Sequence, residues 1–192
     1  MIERSLVLKQ VTLGKRITIK SIVSVALIAF AVILPQLVHL ALGQPGGVKW
    51  LPMYLPVLLA GCLVGPVFAT AVGIFSPVVS YLITSMNGKP MPVVERLPYM
   101  MVELFVFAFV ASLFSKKIYE NGLWAFPAVI LAQISGRAVF LGMVAIFGKA
   151  APFKVNIIWE QIKTGVPGLL IQAAVVPVLI IIIRHFIVKE EE

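Results

Sequence analysis

The sequence has no aspartate, one cysteine (Cys62) and two histidines among 192 residues. A lone cysteine excludes an intramolecular disulfide and a cysteine-based metal cluster. Set in an apolar run, Cys62 reads as a small buried hydrophobe. Without aspartate there is no aspartate-rich metal site, and two isolated histidines leave little for acid–base or nucleophilic chemistry. Charge is scarce as well: 12% of the residues are Asp, Glu, Lys or Arg, against about 25% in soluble domains. The phosphate-cradling loop of nucleotide-binding proteins is missing. Gly14-Lys15, Gly88-Lys89 and Gly148-Lys149 each pair glycine with lysine, but no Ser or Thr follows in the required pattern. "VGIFSP" is no nucleophile elbow, and a Ser-His pair would have to recruit His39 or His185 from helix ends.

What is abundant is apolar. Hydrophobic residues make up 60% of the chain and the mean hydropathy is +1.05. A chain this apolar has too little polar surface to face water, so its solvent is lipid. The net charge of +8 does not point to nucleic acid. The basic residues fall in the segments that join apolar runs, where they act as orientation signals.

A spanning helix needs about 20 apolar residues. Six runs are candidates: Thr18–Leu42, Trp50–Gly65, Val67–Met86, Leu97–Lys116, Leu123–Phe147 and Ile158–Val188. Pro35 is expected to kink the first, because proline removes a helix hydrogen bond. The second is short and broken by proline and glycine, so a helix over about Met53–Gly65 is expected. The fold expected is an all-α integral membrane protein, a single domain of six transmembrane helices over 18–188. A lead-in over 1–17 and a tail over 189–192 flank it. An even number of spans puts both termini on one side. Arg4, Lys9, Lys15, Arg16, Lys20, Lys116, Lys117, Arg184 and Lys189 gather there, which makes that side cytoplasmic. On the other side, segments 43–50, 87–98 and 148–156 are longer and rich in Gly, Pro and Asn. Such loops suit lids over an outward-facing site.

Polar residues at depth carry the functional signal, because an ionisable group in a bilayer is costly unless it is used. Glu103 lies about seven residues, or roughly 10 Å, inside helix four, and Arg137 about ten residues, or roughly 15 Å, inside helix five. Their depths nearly match, so they are expected to pair, either as a lock between helices or as ligand contacts. Gln133 stands one turn from Arg137 on the same face. Gln172, in the middle of the last helix, is a buried amide that needs a partner. Trp50, Tyr54, Asn87, Arg96, Tyr99 and Trp159 ring the outer ends. Their aromatics serve as interface anchors or as ligand contacts.

The run "LPMYLPVLLAGCLVGPVFATAVGIFSPVVSYLIT" and the later "LPYMMVELFVFAFVASLFSKK" resemble the substrate-binding S-component of energy-coupling factor (ECF) transporters. The resemblance covers about Gly43 to Lys117 in motif, and the whole chain in size and helix count. It implies a binding subunit, not an enzyme, in the prokaryotic plasma membrane. Such a subunit captures a vitamin or related micronutrient from outside. It hands the ligand on by docking to a transmembrane coupling subunit driven by two cytoplasmic ATPases, with no cofactor or metal of its own. It also implies a site near the outer surface, mapped here to residues around 46–54, 86–96, Glu103, Gln133, Arg137 and Trp159. In the family, small residues four apart on the first helix pack on the coupling subunit. Here Ser21, Ser24, Ala26, Ala29 and Ala31 are small but make no regular pair of that spacing. A small polytopic membrane enzyme or sensor domain, or a stand-alone carrier, are the alternative readings.

Overall fold

The computed structural model describes residues 1–88, 90–147 and 155–189. The side chains of 44, 45, 48, 155–162 and 189 lie outside that description. Eight α-helices follow in order: α1 (Ile2–Leu8), α2 (Leu13–Trp50), α3 (Tyr54–Val64), α4 (Pro66–Met86), α5 (Leu97–Leu113), α6 (Ser115–Glu120), α7 (Ala125–Phe147) and α8 (Val155–Lys189). Single 3-10 turns precede α5 and α7, and no strand occurs among the described residues.

Among the described residues, five segments are long and apolar enough to cross a membrane: Leu13–Gly43, Pro66–Met86, Val94–Leu113, Gly122–Phe147 and Lys163–Val188. The short helix foreseen between the first two runs is present as α3. It has 11 residues, of which all but Leu55 are buried. At about 1.5 Å per residue it is roughly 16 Å long, half the roughly 30 Å hydrocarbon core. The remaining helices shield α3 from lipid, and an element so enclosed needs no spanning length.

The break in α2 falls elsewhere than the proline suggests. Within this helix the non-helical backbone is at Gly43 (φ 68, ψ −175), not at Pro35. Proline already has helical φ, whereas φ 68 with ψ −175 is open to glycine at little cost. Residues beyond Gly43 continue helically to Trp50, and Leu51 then stops the chain in the left-handed region (φ 48, ψ 50).

The core is organised around α5, and glycines from three helices bear on it. A Cβ at Gly61 on α3 would stand 2.5 Å from the Ala111 Cβ, and one at Gly73 on α4 would stand 2.5 Å from the Leu104 carbonyl oxygen. One at Gly136 on α7 would run into the Phe107 ring. Bare backbone at these points lets three helices close on the middle of α5, the stretch that carries Glu103.

One end of the bundle gathers the N-terminal helix and the end of α8. Lys20 Nζ lies 2.9 Å from Glu3 Oε2, and Arg4 Nη1 lies 2.9 Å from Glu120 Oε1. Arg184 donates to the Tyr119 and Glu120 carbonyls at 2.8 and 2.9 Å. The small residues of α2 do not share a face. Ser24 and Ala31 are buried, Ser21 is half-buried, and Ala26 and Ala29 are exposed beside Ile22, Val25 and Ile33.

Two tests follow from this packing. Gly73→Val should force α4 off α5 and cost about 1–3 kcal/mol, whereas Gly142→Ala, where a Cβ meets nothing within 4 Å, should be neutral or gain about 0.5–1 kcal/mol. Thermal midpoints in detergent check both. At the other end of the molecule, the Glu3 carboxyl is held below its usual value of 4.5, chiefly by its hydrogen bond from Lys20. A depressed folded value means that the tether is present above pH 4.5 and lost as pH falls through the folded value. Protease cleavage around α1 should therefore rise only below that pH. In Glu3→Gln the pH dependence should disappear.

Candidate functional site

At the end opposite α1, the helices part around a cavity of about 280 Å³. Its lining comes from α2 (Pro35, His39, Gly47), the turn into α3 (Leu51 to Tyr54), α4 (Ser80), the 90–96 segment, α5 (Met100, Glu103) and α7 (Arg137, Phe140). The walls are mostly apolar, and Met53, Met91 and Met100 supply adaptable contact surface. The volume is at the low end for ligand sites, which suits a small solute.

Two covering segments are tied down by neighbouring helices. Gln172 on α8 donates its amide to the Trp50 carbonyl at 3.0 Å and to the Leu51 carbonyl at 2.9 Å. Gly168 packs its bare backbone against the same turn: a Cβ there would stand 2.5 Å from the Lys49 carbonyl oxygen. The 90–96 segment is held from α4. Ser80 donates to the Met91 carbonyl at 2.9 Å, and Met91 N–H donates to Thr84 Oγ1 at 2.8 Å. On the inner side of the first cover, His39 Nδ1 lies 3.3 Å from the Gly43 carbonyl oxygen, and Gly47 sits flat against the imidazole ring.

The wall toward the bundle centre is charged. Glu103 has no solvent exposure. An unpaired carboxylate there would cost several kcal/mol, so it must be matched by donors. Tyr54 O–H donates to Glu103 Oε2 at 2.7 Å. Arg137 Nη1 lies 3.0 Å from Glu103 Oε1, an ion pair by distance whose N–H is not aligned for a hydrogen bond. The guanidinium stands over the Tyr54 ring at 5.1 Å from its centre. Phe107 then meets that ring edge-on, with centroids 5.0 Å apart. The triad joins α3, α5 and α7.

Arg137 is only partly matched. Its side chain is 14% exposed, yet Nε and Nη2 are buried without a hydrogen-bond partner. Each such group carries a penalty of about 1–3 kcal/mol, more when charged. Chemically, the wall offers two donors on one edge of a guanidinium and one acceptor, Glu103 Oε1. Among the described residues no three His, Cys, Asp or Glu side chains come together to hold a metal.

The expected site residues separate into two groups. Tyr54, Arg96, Glu103 and Arg137 line the cavity. Trp50, Asn87, Tyr99, Gln133 and Gln172 do not. Gln133 donates to the Leu169 carbonyl at 3.1 Å and so ties α7 to α8. Tyr99 is buried against Phe140. Asn87 bonds weakly within its own helix, at 3.4 Å to the Ile83 carbonyl. Trp50 contributes its carbonyl to Gln172, with Lys49 Nζ over its ring. The side chain of Trp159 lies outside the described residues, as does most of the 148–156 loop. Sequence reasoning passed over Pro35, Ser80, Met100 and Phe140 as lining residues, whereas Leu51 falls inside the 46–54 stretch to which the site was mapped. Helical spacing offered a signal for two of them, because Met100 and Phe140 stand three residues from Glu103 and Arg137 on the same faces.

A bundle of helices long and apolar enough to cross a membrane, with a small cavity at one end and a charged triad in its wall, has the form of a membrane protein with a pocket of ligand-site type. A family model described as "ECF transporter, substrate-specific component" matches residues 15–180. The chain therefore belongs to that family, and it is the substrate-specific subunit of an ECF transporter. The family is a transporter component rather than a family of enzymes. No match was found among curated proteins or among solved structures.

Removing parts of the triad should grade in cost. Tyr54→Phe leaves Glu103 without its hydroxyl donor, for about 1–3 kcal/mol. Glu103→Gln strands the Arg137 charge, for about 3–5 kcal/mol. Adding Arg137→Gln to Glu103→Gln should recover part of that loss, because the two positions are coupled. Unfolding in detergent measures all three.

Proposed function

We propose that this subunit captures a vitamin or a related micronutrient from outside the cell. It then delivers the ligand to a transmembrane coupling subunit powered by two cytoplasmic ATPases. The observation that carries the reading is the cavity with its Tyr54–Glu103–Arg137 wall, in a chain whose family is that of the substrate-specific component. Absence of a phosphate-binding loop from the sequence fits an energy source on other subunits. On this reading the chain is a multi-pass protein of the cell membrane. It makes six passes, counting α3 as the short one, and the α1 end with both termini is cytoplasmic. The basic collar of that end favours this orientation. The cavity then opens outward, under the 43–51 and 90–96 segments. Tyr54, Arg96, Glu103 and Arg137 are the side chains proposed to meet the ligand. Trp50, Asn87, Tyr99, Gln133, Gln172 and Trp159 are proposed to support the site or its covers. The small residues Ser21, Ser24, Ala26, Ala29 and Ala31 of α2 are proposed to serve docking. Ala26 and Ala29 do so directly from the exposed face, and Ser24 and Ala31 by letting α2 lie close to its own bundle.

The test is to purify the subunit alone and together with a coupling subunit and ATPases, and to identify released small molecules by mass spectrometry. The expected result is one bound micronutrient in both preparations, with ATP-dependent uptake into vesicles only for the complex. A subunit that releases no such molecule and recruits no coupling subunit would sink the proposal. Uptake by the subunit without ATPases would favour a stand-alone carrier.

A further inference from the structure

Arg137 presents its charge in two directions. Nη1 goes to Glu103. The opposite edge, Nε and Nη2, is the parallel pair of donors that matches a carboxylate, and it is buried with nothing bonded to it. Its Nη2 lies near α8, beside Gly165. A Cβ at Gly165 on α8 would stand 3.6 Å from Arg137 Nη2 and 2.9 Å from Leu51 Cδ1. The leucine side chain and the free guanidinium edge thus converge on the same bare patch of α8 backbone, at the cavity wall that both residues line.

Leu51 is held there against two preferences. Its backbone is left-handed (φ 48), which is uncommon for a residue with a branched side chain. An apolar group beside unbonded charged N–H donors also gives them nothing in return for lost water. The turn persists because Gln172 clamps the carbonyls on both sides of it. Such a conformation is one that a ligand can relieve.

We infer that the cavity takes a small monocarboxylate whose carboxylate binds the Nε–Nη2 edge of Arg137. This rests on the proposed capture function and names the ligand chemistry. One negative charge fits better than two. Glu103 already lies against the same guanidinium, and a phosphate dianion would set two further charges beside that carboxylate in a poorly solvated wall. The apolar lining accommodates the body of the molecule, and Glu103 Oε1 remains available to accept from a ligand O–H or N–H.

The experiment uses the full chain in detergent and matched probes that differ only at the acid: nicotinate and nicotinamide, biotin and biotinamide, pantothenate and pantothenol. Calorimetry and thermal shift report binding. At least one acid should bind about tenfold or more tighter than its neutral counterpart. Arg137→Lys keeps the charge but loses the fork, so it should reduce that acid-to-neutral ratio by about tenfold. A merely structural ion pair would alter the melting temperature of Arg137→Lys and leave the ratio intact. A ratio near one in the native protein, a ratio unmoved by Arg137→Lys, or binding by none of the acids would each overturn the inference. The capture reading is judged separately by the released-ligand measurement. A released cation or neutral compound would retire the carboxylate and leave capture standing.

Discussion

A carboxylate cut off from water stands at the middle of this bundle, and the surrounding structure is arranged to compensate it. Glu103 can sit on α5 only because a tyrosine hydroxyl from α3 and a guanidinium from α7 reach it. Those helices come near enough because Gly61 and Gly136 offer no side chain where they approach α5. The charged triad and the glycine contacts are therefore one design. Close packing brings the partners into range, and the partners make the buried charge tolerable. This design fixes α3, α5 and α7 relative to one another at the wall of the cavity. The covers are tied separately, the first by Gln172 and the close approach of Gly168, the second by Ser80 and Thr84.

The sequence was most legible where chemistry is scarce. Five apolar runs of spanning length and one short, proline-broken run could be read from composition alone, and the helices follow them closely. Glu103 and Arg137 stood out because charges at depth are rare in a lipid-solvated chain, and their calculated depths brought them to the same level. Less could be read where backbone decides. Pro35 looked like the kink, but the break sits at Gly43, whose importance depends on a dihedral that no residue pattern announces. Gln133 and Gln172 were visible as buried amides, while their partners were not. Both bond to main-chain carbonyls, which every residue possesses. Tyr54 read as an aromatic at an interface, and only the fold shows its hydroxyl turned inward to Glu103. Leu51 carried no signal of its own beyond its place in the mapped 46–54 stretch, because a leucine in an apolar run is what a membrane helix is made of.

The two ends of the bundle do different physical work. At one end, charges meet in pairs: Arg4 with Glu120, both exposed, and the exposed Glu3 with the buried Lys20. Exposed pairs contribute little stability and can exchange partners at little cost. At the other end, Glu103 and Gln172 are buried and each reaches a named partner, so a change at either is felt. A subunit that must discriminate a ligand at one face and associate with other proteins elsewhere is served by this division. Rigidity is concentrated where chemical recognition is needed, and the electrostatics of the opposite end stay adjustable.

The short third helix has a consequence for the shape of the whole. Its 11 residues run from the α1 end, at Gly65, and stop at Tyr54 on the cavity wall. The neighbouring helices continue past that point. The cavity lies beside Met53 and Tyr54, at this end of α3. The number of turns in α3 thus bears on where the floor of the cavity lies. One additional turn, about 5.4 Å of rise, would raise the floor through much of the chamber. One fewer would withdraw the tyrosine from Glu103. Helix length, ordinarily matched to the bilayer, is set in this element by the neighbours that enclose it.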